Sequence, residues 1–348
     1  MHASHHALTD ASRQSLLRCD IDLNAAGKAN GFVRLPHSVH RSAYGWVPIP
    51  VTRIRNGEGP RILMVAGNHG DEWEGQIGLG RLIRDLQPEQ LSGTLVILPS
   101  LNFPAAMAGQ RTSPVDEGNL NRAFPGDSHG GMTAQIAWWI EHALLPGFDV
   151  AFDLHSGGSS LSYLPSTLAY RQPTPAMQQR VEELMAAFGA PVAFFSDAPG
   201  SGGRSFSAAA LRQGVLCMAT EVGGGGLVTP ASMASMHQGL QRVLQHLGLI
   251  EADELPPPAP TRRMRVGGDD HHVFAMEAGL FEPLVEVGDL VCAGQPAARI
   301  HFHDTPWREP MLLRFEIDGL LLCKRVPALC QRGDCLFQLG SDDAATWA

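Results

Sequence analysis

Apolar residues are concentrated in short runs between residues 46 and 224, and each run is bounded by glycine or proline. Within the runs the hydrophobicity is continuous rather than alternating, and β-branched residues are frequent. This pattern is typical of strands that are covered on both faces. It predicts six strands, over residues 46–54, 61–67, 93–100, 148–157, 191–196 and 214–224.

The segments between these strands carry apolar residues at helical spacing. Thr229 is a suitable N-cap for the last segment, Pro230 fits its first turn, and Gly248 can end it. Gly189 is likewise placed to end the third segment. The spacing predicts four helices, over residues 74–86, 132–145, 176–189 and 229–248.

The alternation of strands and helices predicts an α/β fold. We expect a mostly parallel (mixed) sheet with helices on both faces, in which ligands bind at the carboxyl ends of the strands. Three consecutive prolines and flanking charges then predict a linker, and the short β runs beyond it predict a small C-terminal all-β domain. The expected parts are an N-terminal segment, a main domain, the Pro-rich linker and the β domain, at residues 1–44, 45–250, 251–263 and 264–342.

Composition and charge argue against several classes of protein. The chain has 348 residues, of which 44% are hydrophobic, and its net charge is −9. The excess of negative charge argues against nucleic-acid binding, which requires cations that neutralise phosphates. No apolar run approaches the roughly 20 residues of a membrane span. The 6 cysteines are scattered without a C-x-x-C pair, so we expect a protein of the reducing cytoplasm.

Residues that can bind a metal ion follow two of the predicted strands. His69 and Glu72 come directly after the second strand, in the stretch "VAGNHGDEWEG". His155 lies near the end of the fourth strand, two residues after Asp153. Catalytic zinc sites use three ligands of these types, and a carboxylate such as Asp153 can fix the tautomer of a histidine ligand. Each cluster taken alone is also explained as a polar loop or as a cap of a strand.

Further polar groups follow the sixth strand or lie in a long loop. Glu221 ends an apolar run before four glycines and could exchange protons beside a metal. The alternative is a solvated glutamate in a glycine-rich turn. Arg111, Asn121 and Arg122 lie in an irregular loop, where the arginines could bind a carboxylate or could simply be exposed.

Three other features have less support from the sequence. Asp71 and Glu74 are expected to support the neighbouring ligands or to face the positive end of the following helix. The stretch "GDSHG" matches the G-x-S-x-G motif of serine hydrolases, but a proline-containing loop rather than a strand precedes Ser128, which argues against that class. Histidines of the β domain are expected at the surface or at the rim of the site, namely His271, His272, His301 and His303.

Four of these stretches occur together and in order, each after a predicted strand: "GNHGDEWEG", "NLNRAFPG", "DLHSGG" and "TEVGGGG". The set resembles the succinylglutamate desuccinylase/aspartoacylase family, a branch of the zinc carboxypeptidase fold. The resemblance covers about residues 45–340 and includes a C-terminal β domain of the family's kind. It implies a zinc-carboxypeptidase-like fold in which residues 45–250 form the zinc-dependent catalytic domain.

The resemblance also implies a role for each matching position. His69, Glu72 and His155 match three ligands of one zinc ion per chain, and Glu221 matches the general base and acid. Substrate contacts are implied for the loop residues. Asn121 and Arg122 match the pair that holds the substrate carboxylate, and Arg111 matches an arginine that polarises the scissile carbonyl.

Within the family, the phrases "RTSP", "NLNRAFPG" and "TEVGGGG" are most similar to the N-alpha-acetyl-L-2,4-diaminobutyrate deacetylases of ectoine degradation. Two positions depart from the wider pattern. Asn119 stands where many members have aspartate, and no tyrosine follows Tyr170, although aspartoacylases use one from the C-terminal domain. A substrate with a side-chain ammonium group would need a carboxylate nearby, for which Asp116, Glu117 and Asp197 are candidates.

The expected function is zinc-dependent removal of an acyl group, with acetyl favoured, from a small N-acyl amino acid. The same chemistry would serve a succinylglutamate desuccinylase, an aspartoacylase or a metallocarboxypeptidase. A non-catalytic protein that binds zinc or a metabolite is the alternative from another class. The expected partner is the small-molecule substrate, without nucleic acid or membrane, and assembly into a homo-oligomer is left open.

Overall fold

The computed structural model describes residues 15–196, 202–251, 255–258 and 260–343. Within these residues, 14 strands form one large sheet and 4 form a smaller one. The large sheet contains β1 (Arg18–Cys19), β2 (Gly27–Pro36), β3 (Trp46–Asn56), β4 (Arg61–Ala66), β5 (Gly93–Leu98), β6 (Val150–His155), β7 (Leu161–Ala169), β8 (Val192–Ser196), β9 (Leu216–Gly224), β10 (Arg262–Val266), β11 (His272–Phe274), β13 (Leu290–Val291), β16 (Gly319–Arg325) and β18 (Cys335–Asp342). The smaller sheet contains β12 (Gly279–Pro283), β14 (Pro296–His301), β15 (Met311–Arg314) and β17 (Leu329–Cys330).

The large sheet is mixed, with the order β1-β2-β3-β5-β4-β6-β9-β7-β8-β10-β18-β16-β13 and β11 beside β18. Parallel pairs are found in the runs β5-β4-β6-β9 and β7-β8-β10. The remaining pairs are antiparallel, among them β2 with β3, β7 with β9, and β16 with β18. Parallel pairing, which was expected for most of the sheet, is therefore a property of these two central runs.

The six predicted strands correspond to β3, β4, β5, β6, β8 and β9, while β2 and β7 were not predicted from the sequence. Buried and exposed residues alternate at the end of β2, where Val33 and Leu35 are buried. Such a strand is covered on one face and lacks a continuous apolar run. β7 contains Pro165 and several hydroxyl residues, and its pairing with β9 shifts register between Tyr163 and Ser166. Proline in a strand usually marks such an irregularity.

Six α-helices lie in the described part of the chain: α1 (Trp73–Asp85), α2 (Phe103–Ala108), α3 (Met132–Trp139), α4 (Pro175–Phe188), α5 (Phe206–Arg212) and α6 (Pro230–His246). The four predicted helices correspond to α1, α3, α4 and α6. A π-helical turn, Ile140–Leu144, extends α3 over the rest of its predicted span. Thr229 caps α6 through a hydrogen bond from the Ser232 amide, and Gly189 ends α4 with φ of 77°. Among the described residues, no helix is long and apolar enough to cross a bilayer.

Helices pack on both faces of the large sheet. Along β4, Ile62 and Met64 belong to one core cluster, whereas Leu63 and Val65 belong to another. Because successive side chains of a strand point to opposite faces, the two clusters lie on opposite sides of the sheet. The first includes residues of α1, α4 and α6, and the second includes residues of α3 and α5. The expected α/β layering is thus present.

The C-terminal strands continue the large sheet. β10 pairs in parallel with β8, and β16 pairs with β7 through the register Cys323↔Tyr163. A separate core around Phe281, Phe315 and Phe337 fills the space under the smaller sheet. The division of the chain at residues 251–263 stays a prediction, and hydrogen bonds of the sheet cross it.

Candidate active site

Three neighbouring parallel strands bring the metal-binding candidates to one edge of the sheet. β4 pairs with β6, and β6 pairs with β9 with His155 directly beside Glu221. His69 and Glu72 follow the end of β4. The carboxyl ends of parallel strands share one edge, which is where α/β folds bind ligands.

A tight turn joins β4 to α1 and holds the first two candidates. Gly67 has φ of 67°, a conformation that favours glycine. Gly70 lies against the backbone of α2, where a Cβ atom would come within 2.0 Å of the carbonyl carbon of Ala105. Glu72 occupies the N-cap position of α1. Backbone packing therefore fixes the positions of His69 and Glu72 in the turn.

His69, Glu72 and His155 form a group that could hold a metal ion. The Nδ1 atom of His69 lies 2.7 Å from Oε1 of Glu72, and Nδ1 of His155 lies 2.6 Å from Oε2 of the same carboxylate. All three ligand atoms lie within 4.8 Å of one another, and all three residues are buried. Two imidazole nitrogens and one carboxylate oxygen are the ligand set of many catalytic zinc sites. The residues present therefore fit a zinc ion.

A side-chain oxygen lies within hydrogen-bonding distance of the Nε2 atom of each histidine. His155 Nε2 lies 2.8 Å from Oδ2 of Asp153, which also accepts a hydrogen bond from Nδ2 of Asn68 at 3.2 Å. His69 Nε2 lies 3.2 Å from Oδ1 of Asn119. Hydrogen bonds of this kind select the tautomer of a histidine ligand and orient its ring. They leave Nδ1 of both rings directed at Glu72.

Burial and neighbouring charges shift the pKa values of the ligand group. Burial lowers the pKa of His69 below its usual 6.5, although Glu72 acts against it. Burial also disfavours the charged form of His155, but the carboxylates of Asp153 and Glu72 outweigh it and hold the pKa of this imidazole well above the ordinary value. Burial likewise opposes the charge of Glu72, and the two histidines hold its pKa well below 4.5. The carboxylate of Glu72 is therefore ionised.

The pKa of Glu221 is shifted upwards, whereas that of Glu72 is shifted downwards. Burial, followed by the negative charge of Glu72, raises the pKa of the Glu221 carboxyl group well above its usual 4.5. Its Oε2 atom is buried and has no hydrogen-bond partner among the described residues. A carboxyl group with a raised pKa beside a metal-binding group is suited to exchange protons near neutral pH.

One cavity of about 580 Å³ is lined by all seven residues that the sequence singled out as site residues, namely His69, Glu72, Arg111, Asn121, Arg122, His155 and Glu221. Tyr163, Tyr170 and Ser205 line it as well, and they were not predicted. Both tyrosines belong to the region of β7, the strand that the sequence pattern did not reveal. C-terminal residues also line the cavity, among them His272 and Gln338.

Two of the three loop residues contact the ligand group directly, namely Arg111 and Asn121, whose Nδ2 atom lies 3.2 Å from Nε2 of His155. Arg111 Nη1 is 3.3 Å from Nδ1 of His69 and 3.5 Å from Oε1 of Glu72. Asn121 lies in a 3-10 turn, Leu120–Arg122, and its side-chain oxygen accepts a hydrogen bond from the Phe206 amide at 2.8 Å. Arg122 donates to the Asn121 carbonyl at 2.7 Å. The turn and α5 together hold the Asn-Arg pair at the cavity wall.

Asp71 and Glu74 lie outside the ligand group and support the surrounding loops. Asp71 accepts hydrogen bonds from the amide and hydroxyl of Ser159, at 2.8 and 2.7 Å. Glu74 accepts one from the Gly224 amide at 3.3 Å, just beyond Glu221. The two carboxylates thus hold the loop that follows β6 and the end of β9.

The three candidates for binding a substrate ammonium group have different surroundings. Asp116 accepts hydrogen bonds from the Thr133 amide and hydroxyl, both at 2.7 Å, and therefore holds the start of α3. Glu117 is exposed, with φ of 54°. Neither lines the cavity. Asp197 lies outside the described residues.

The remaining candidates take other positions. Ser128 is half-buried in a loop that no strand directly precedes, and its hydroxyl lies 3.0 Å from Nδ1 of His129. Of the C-terminal histidines, His272 lines the cavity and His301 is exposed beside Glu282. The expected surface position of His271 is wrong. That side chain is 1% exposed and lies 3.0 Å from the hydroxyl of Ser341, which provides a polar partner in the interior.

The fold and the site together define a hydrolase with a candidate metal centre at the sheet edge. The profile named "Succinylglutamate desuccinylase/Aspartoacylase catalytic domain" matches residues 58–247. The chain belongs to the succinylglutamate desuccinylase/aspartoacylase family, and the prediction of a deacylase is confirmed.

Individual relatives match almost the whole chain. It is 40% identical over 327 residues to the N-alpha-acetyl-L-2,4-diaminobutyric acid deacetylase of Halomonas elongata, covering 93% of this chain and 94% of that protein. The product-bound structure of the ectoine utilization protein EutE (DoeB) from Ruegeria pomeroyi is similar, with a TM-score of 0.90, 37% identity and coverage of 94% of this chain and 98% of that one. A succinylglutamate desuccinylase/aspartoacylase from Rhodobacter sphaeroides has a TM-score of 0.89 and 35% identity, covering 95% and 100%.

Proposed function

We propose that the protein is a zinc-dependent deacetylase that hydrolyses N-alpha-acetyl-L-2,4-diaminobutyrate to acetate and the free diamino acid. The observation that carries the proposal is the convergence of His69, Glu72 and His155 with Glu221 in one cavity. The relative from Halomonas elongata supports the choice of substrate through its name. The cavity volume of about 580 Å³ lies within the range of small-molecule sites.

Three protein ligands suit a catalytic rather than a structural zinc ion, because a structural site usually has four. His69 and His155 would bind through Nδ1, since their Nε2 atoms already face Asn119 and Asp153. Glu72 would bind through a carboxylate oxygen. A zinc ion held by these residues would lower the pKa of a water molecule and polarise a carbonyl group.

Glu221 supplies proton transfer in this proposal. Its carboxylate takes a proton from the attacking water and returns it to the nitrogen of the leaving amine. The new bond joins the water oxygen to the acyl carbon, and the amide C–N bond breaks. The raised pKa of Glu221 places proton uptake and release nearer to neutral pH than an ordinary glutamate would.

The cationic residues of the cavity orient the substrate. Arg111 lies beside the ligand group, where its guanidinium can donate to the acyl oxygen as negative charge develops. Asn121 and Arg122 present an amide and a guanidinium that can bind the α-carboxylate. Binding of the carboxylate at one wall and of the acyl group at the ligand group aligns the amide with Glu221.

The side-chain ammonium of the proposed substrate also needs a partner. Among the described residues that line the cavity, the carboxylates are Glu72, Asp153 and Glu221, and each already has a proposed role. Asp116 is bonded to Thr133 and Glu117 is exposed, so neither is retained as the partner. Asp197 stays a candidate.

A product-detecting assay tests the function. The zinc-loaded protein is given N-alpha-acetyl-diaminobutyrate, N-acetylaspartate, N-succinylglutamate and short peptides with a free C-terminus, and the released amine is quantified. We expect turnover to be fastest with the first. Release from peptides alone would indicate a carboxypeptidase, and zinc binding without any turnover would indicate a binding protein.

Two variants distinguish loss of the general base from loss of the folded structure. Glu221→Gln should retain zinc while turnover falls by about 10²–10⁴-fold, the usual contribution of a general base. Glu183→Gln changes an exposed glutamate of α4 in the same way and should behave as the wild type. Near-full turnover of zinc-loaded Glu221→Gln would contradict the assignment of the base.

A further inference from the structure

Asn119 contacts the side of His69 that faces away from Glu72. Its Oδ1 atom lies 3.2 Å from Nε2 of the imidazole, while Nδ1 of the same ring lies 2.7 Å from Glu72. Asn119 is the N-cap residue of the 3-10 turn Leu120–Arg122, and its backbone carbonyl accepts a hydrogen bond from the Arg122 amide at 2.9 Å. The turn that carries Asn121 and Arg122 therefore also places the side-chain amide of Asn119 beside Nε2 of His69.

The contact selects one tautomer of His69. An amide oxygen accepts hydrogen bonds and cannot donate them, so Nε2 of His69 must carry the proton. The lone pair then lies on Nδ1, the atom directed at Glu72. The opposite tautomer would place the proton on Nδ1 and block metal binding there.

The two histidines have partners of different charge. His155 Nε2 faces the carboxylate of Asp153 at 2.8 Å, whereas His69 Nε2 faces a neutral amide at the longer distance of 3.2 Å. A carboxylate partner makes an imidazole a more basic ligand, and an amide does so less. The neutral amide also adds no negative charge beside Asn121 and Arg122, the pair proposed to bind the substrate α-carboxylate.

We propose that Asn119 is a positioning residue that fixes the tautomer and orientation of His69 for metal binding. Because it is uncharged, it leaves His69 the less basic of the two histidine ligands. The inference rests on the proposed function, since it takes His69, Glu72 and His155 as the zinc ligands.

Zinc affinity tests the inference without reference to turnover. It is measured by competition with a chromogenic chelator for the wild type, Asn119→Leu and Asn119→Asp. Asn119→Leu, which keeps the approximate size but removes the acceptor, should weaken zinc binding by about 10–100-fold. Asn119→Asp restores an acceptor and adds charge, so it should bind zinc at least as tightly as the wild type. Asn56→Leu, at an exposed position at the end of β3, is the matched control and should bind as the wild type.

The imidazole proton gives a second measurement. In ¹⁵N-edited NMR spectra of the zinc-loaded protein, the Nε2 proton of His69 should be visible in the wild type and in Asn119→Asp. It should exchange rapidly with water in Asn119→Leu.

The outcomes separate the two proposals. Wild-type zinc affinity in Asn119→Leu, or affinity in Asn119→Asp that is as weak as in a folded Asn119→Leu, would overturn the role of Asn119. If Asn119→Leu does not fold, Asn119→Asp decides, and a tenfold or greater loss of affinity in it overturns the inference. If the wild type itself binds no zinc, the proposed function fails instead.

Discussion

The Nε2 atom of His155 lies 2.8 Å from Oδ2 of Asp153, a residue two positions earlier on the same strand. Residues two apart on a strand share one face of the sheet. The extended backbone of β6 therefore places the carboxylate beside the imidazole, and no loop is needed to bring them together. The pair is buried, so its electrostatic attraction is stronger than it would be in water.

Replacing Asp153 by asparagine should weaken zinc binding without abolishing it. The amide oxygen can still accept from Nε2 of His155, but the negative charge that makes the ring a stronger ligand is lost. We expect a loss of about tenfold in affinity, at the lower end of the usual effect of such partners. Chelator competition measures it, and unchanged affinity in a variant that folds normally would contradict the role of Asp153.

Asp71 and Glu72 are adjacent in sequence and should differ in their effect on zinc. Glu72→Gln replaces the carboxylate that both histidines face and should remove most of the bound metal. Asp71→Asn weakens hydrogen bonds to Ser159 and should keep zinc, at a loss of about 1–3 kcal/mol in the free energy of unfolding. Metal analysis after dialysis and thermal unfolding test both. Equal loss of zinc in the two variants would show that Asp71 also binds the ion.

The pH dependence of turnover should reflect the raised pKa of Glu221. The general base works only when deprotonated, so activity falls as the pH falls through this pKa. Because burial and the charge of Glu72 raise the pKa of Glu221, the acid limb of kcat/KM should lie above the ordinary value of 4.5. The residual activity of Glu221→Gln should lack this limb. An acid limb at the ordinary value in the wild type would contradict the assignment.

Packing of α6 against α4 should be sensitive to one glycine. A Cβ atom at Gly239 would lie 2.4 Å from two ring atoms of Phe188, both in the interior. Gly239→Ala should therefore lower the free energy of unfolding by about 1–3 kcal/mol. Gly80→Ala is the matched control in α1, where the nearest atom is Nη1 of Arg84 at 3.5 Å, and it should stabilise by about 0.5–1 kcal/mol. Thermal or chemical unfolding compares them, and equal effects would contradict this packing.

The strands that the sequence predicted are those with a continuous apolar run. β4, β6 and β9 are such strands, and the rule that ligands bind at the carboxyl ends of parallel strands points to His69, His155 and Glu221. The resemblance to the family then implied roles for Arg111 and Asn121, which lie in a loop where no periodicity could identify them. Their roles remain proposals, while their positions at one cavity are a finding.

The strands β2 and β7 were not predicted for the same reason. β2 is apolar on one face, and β7 is interrupted by Pro165, so neither gives a continuous run. Because β7 was not predicted, Tyr163 and Tyr170 were not identified as residues of the cavity. The contact between Asn119 and His69 joins a 3-10 turn to a residue 50 positions earlier, and local patterns carry no information about such a pair.

The strands that complete the cavity follow the ligand residues in the chain, so a ribosome makes them later. Gln338 lies on β18, which ends at Asp342, and β18 pairs with β10, the partner of β8. A nascent chain that has emerged only as far as α6 already carries His69, Glu72, His155 and Glu221, yet it lacks this wall. Premature termination there would leave an edge of β8 unpaired and the ligand residues beside an incomplete cavity. Activity during synthesis should therefore appear only after β18 has joined the sheet.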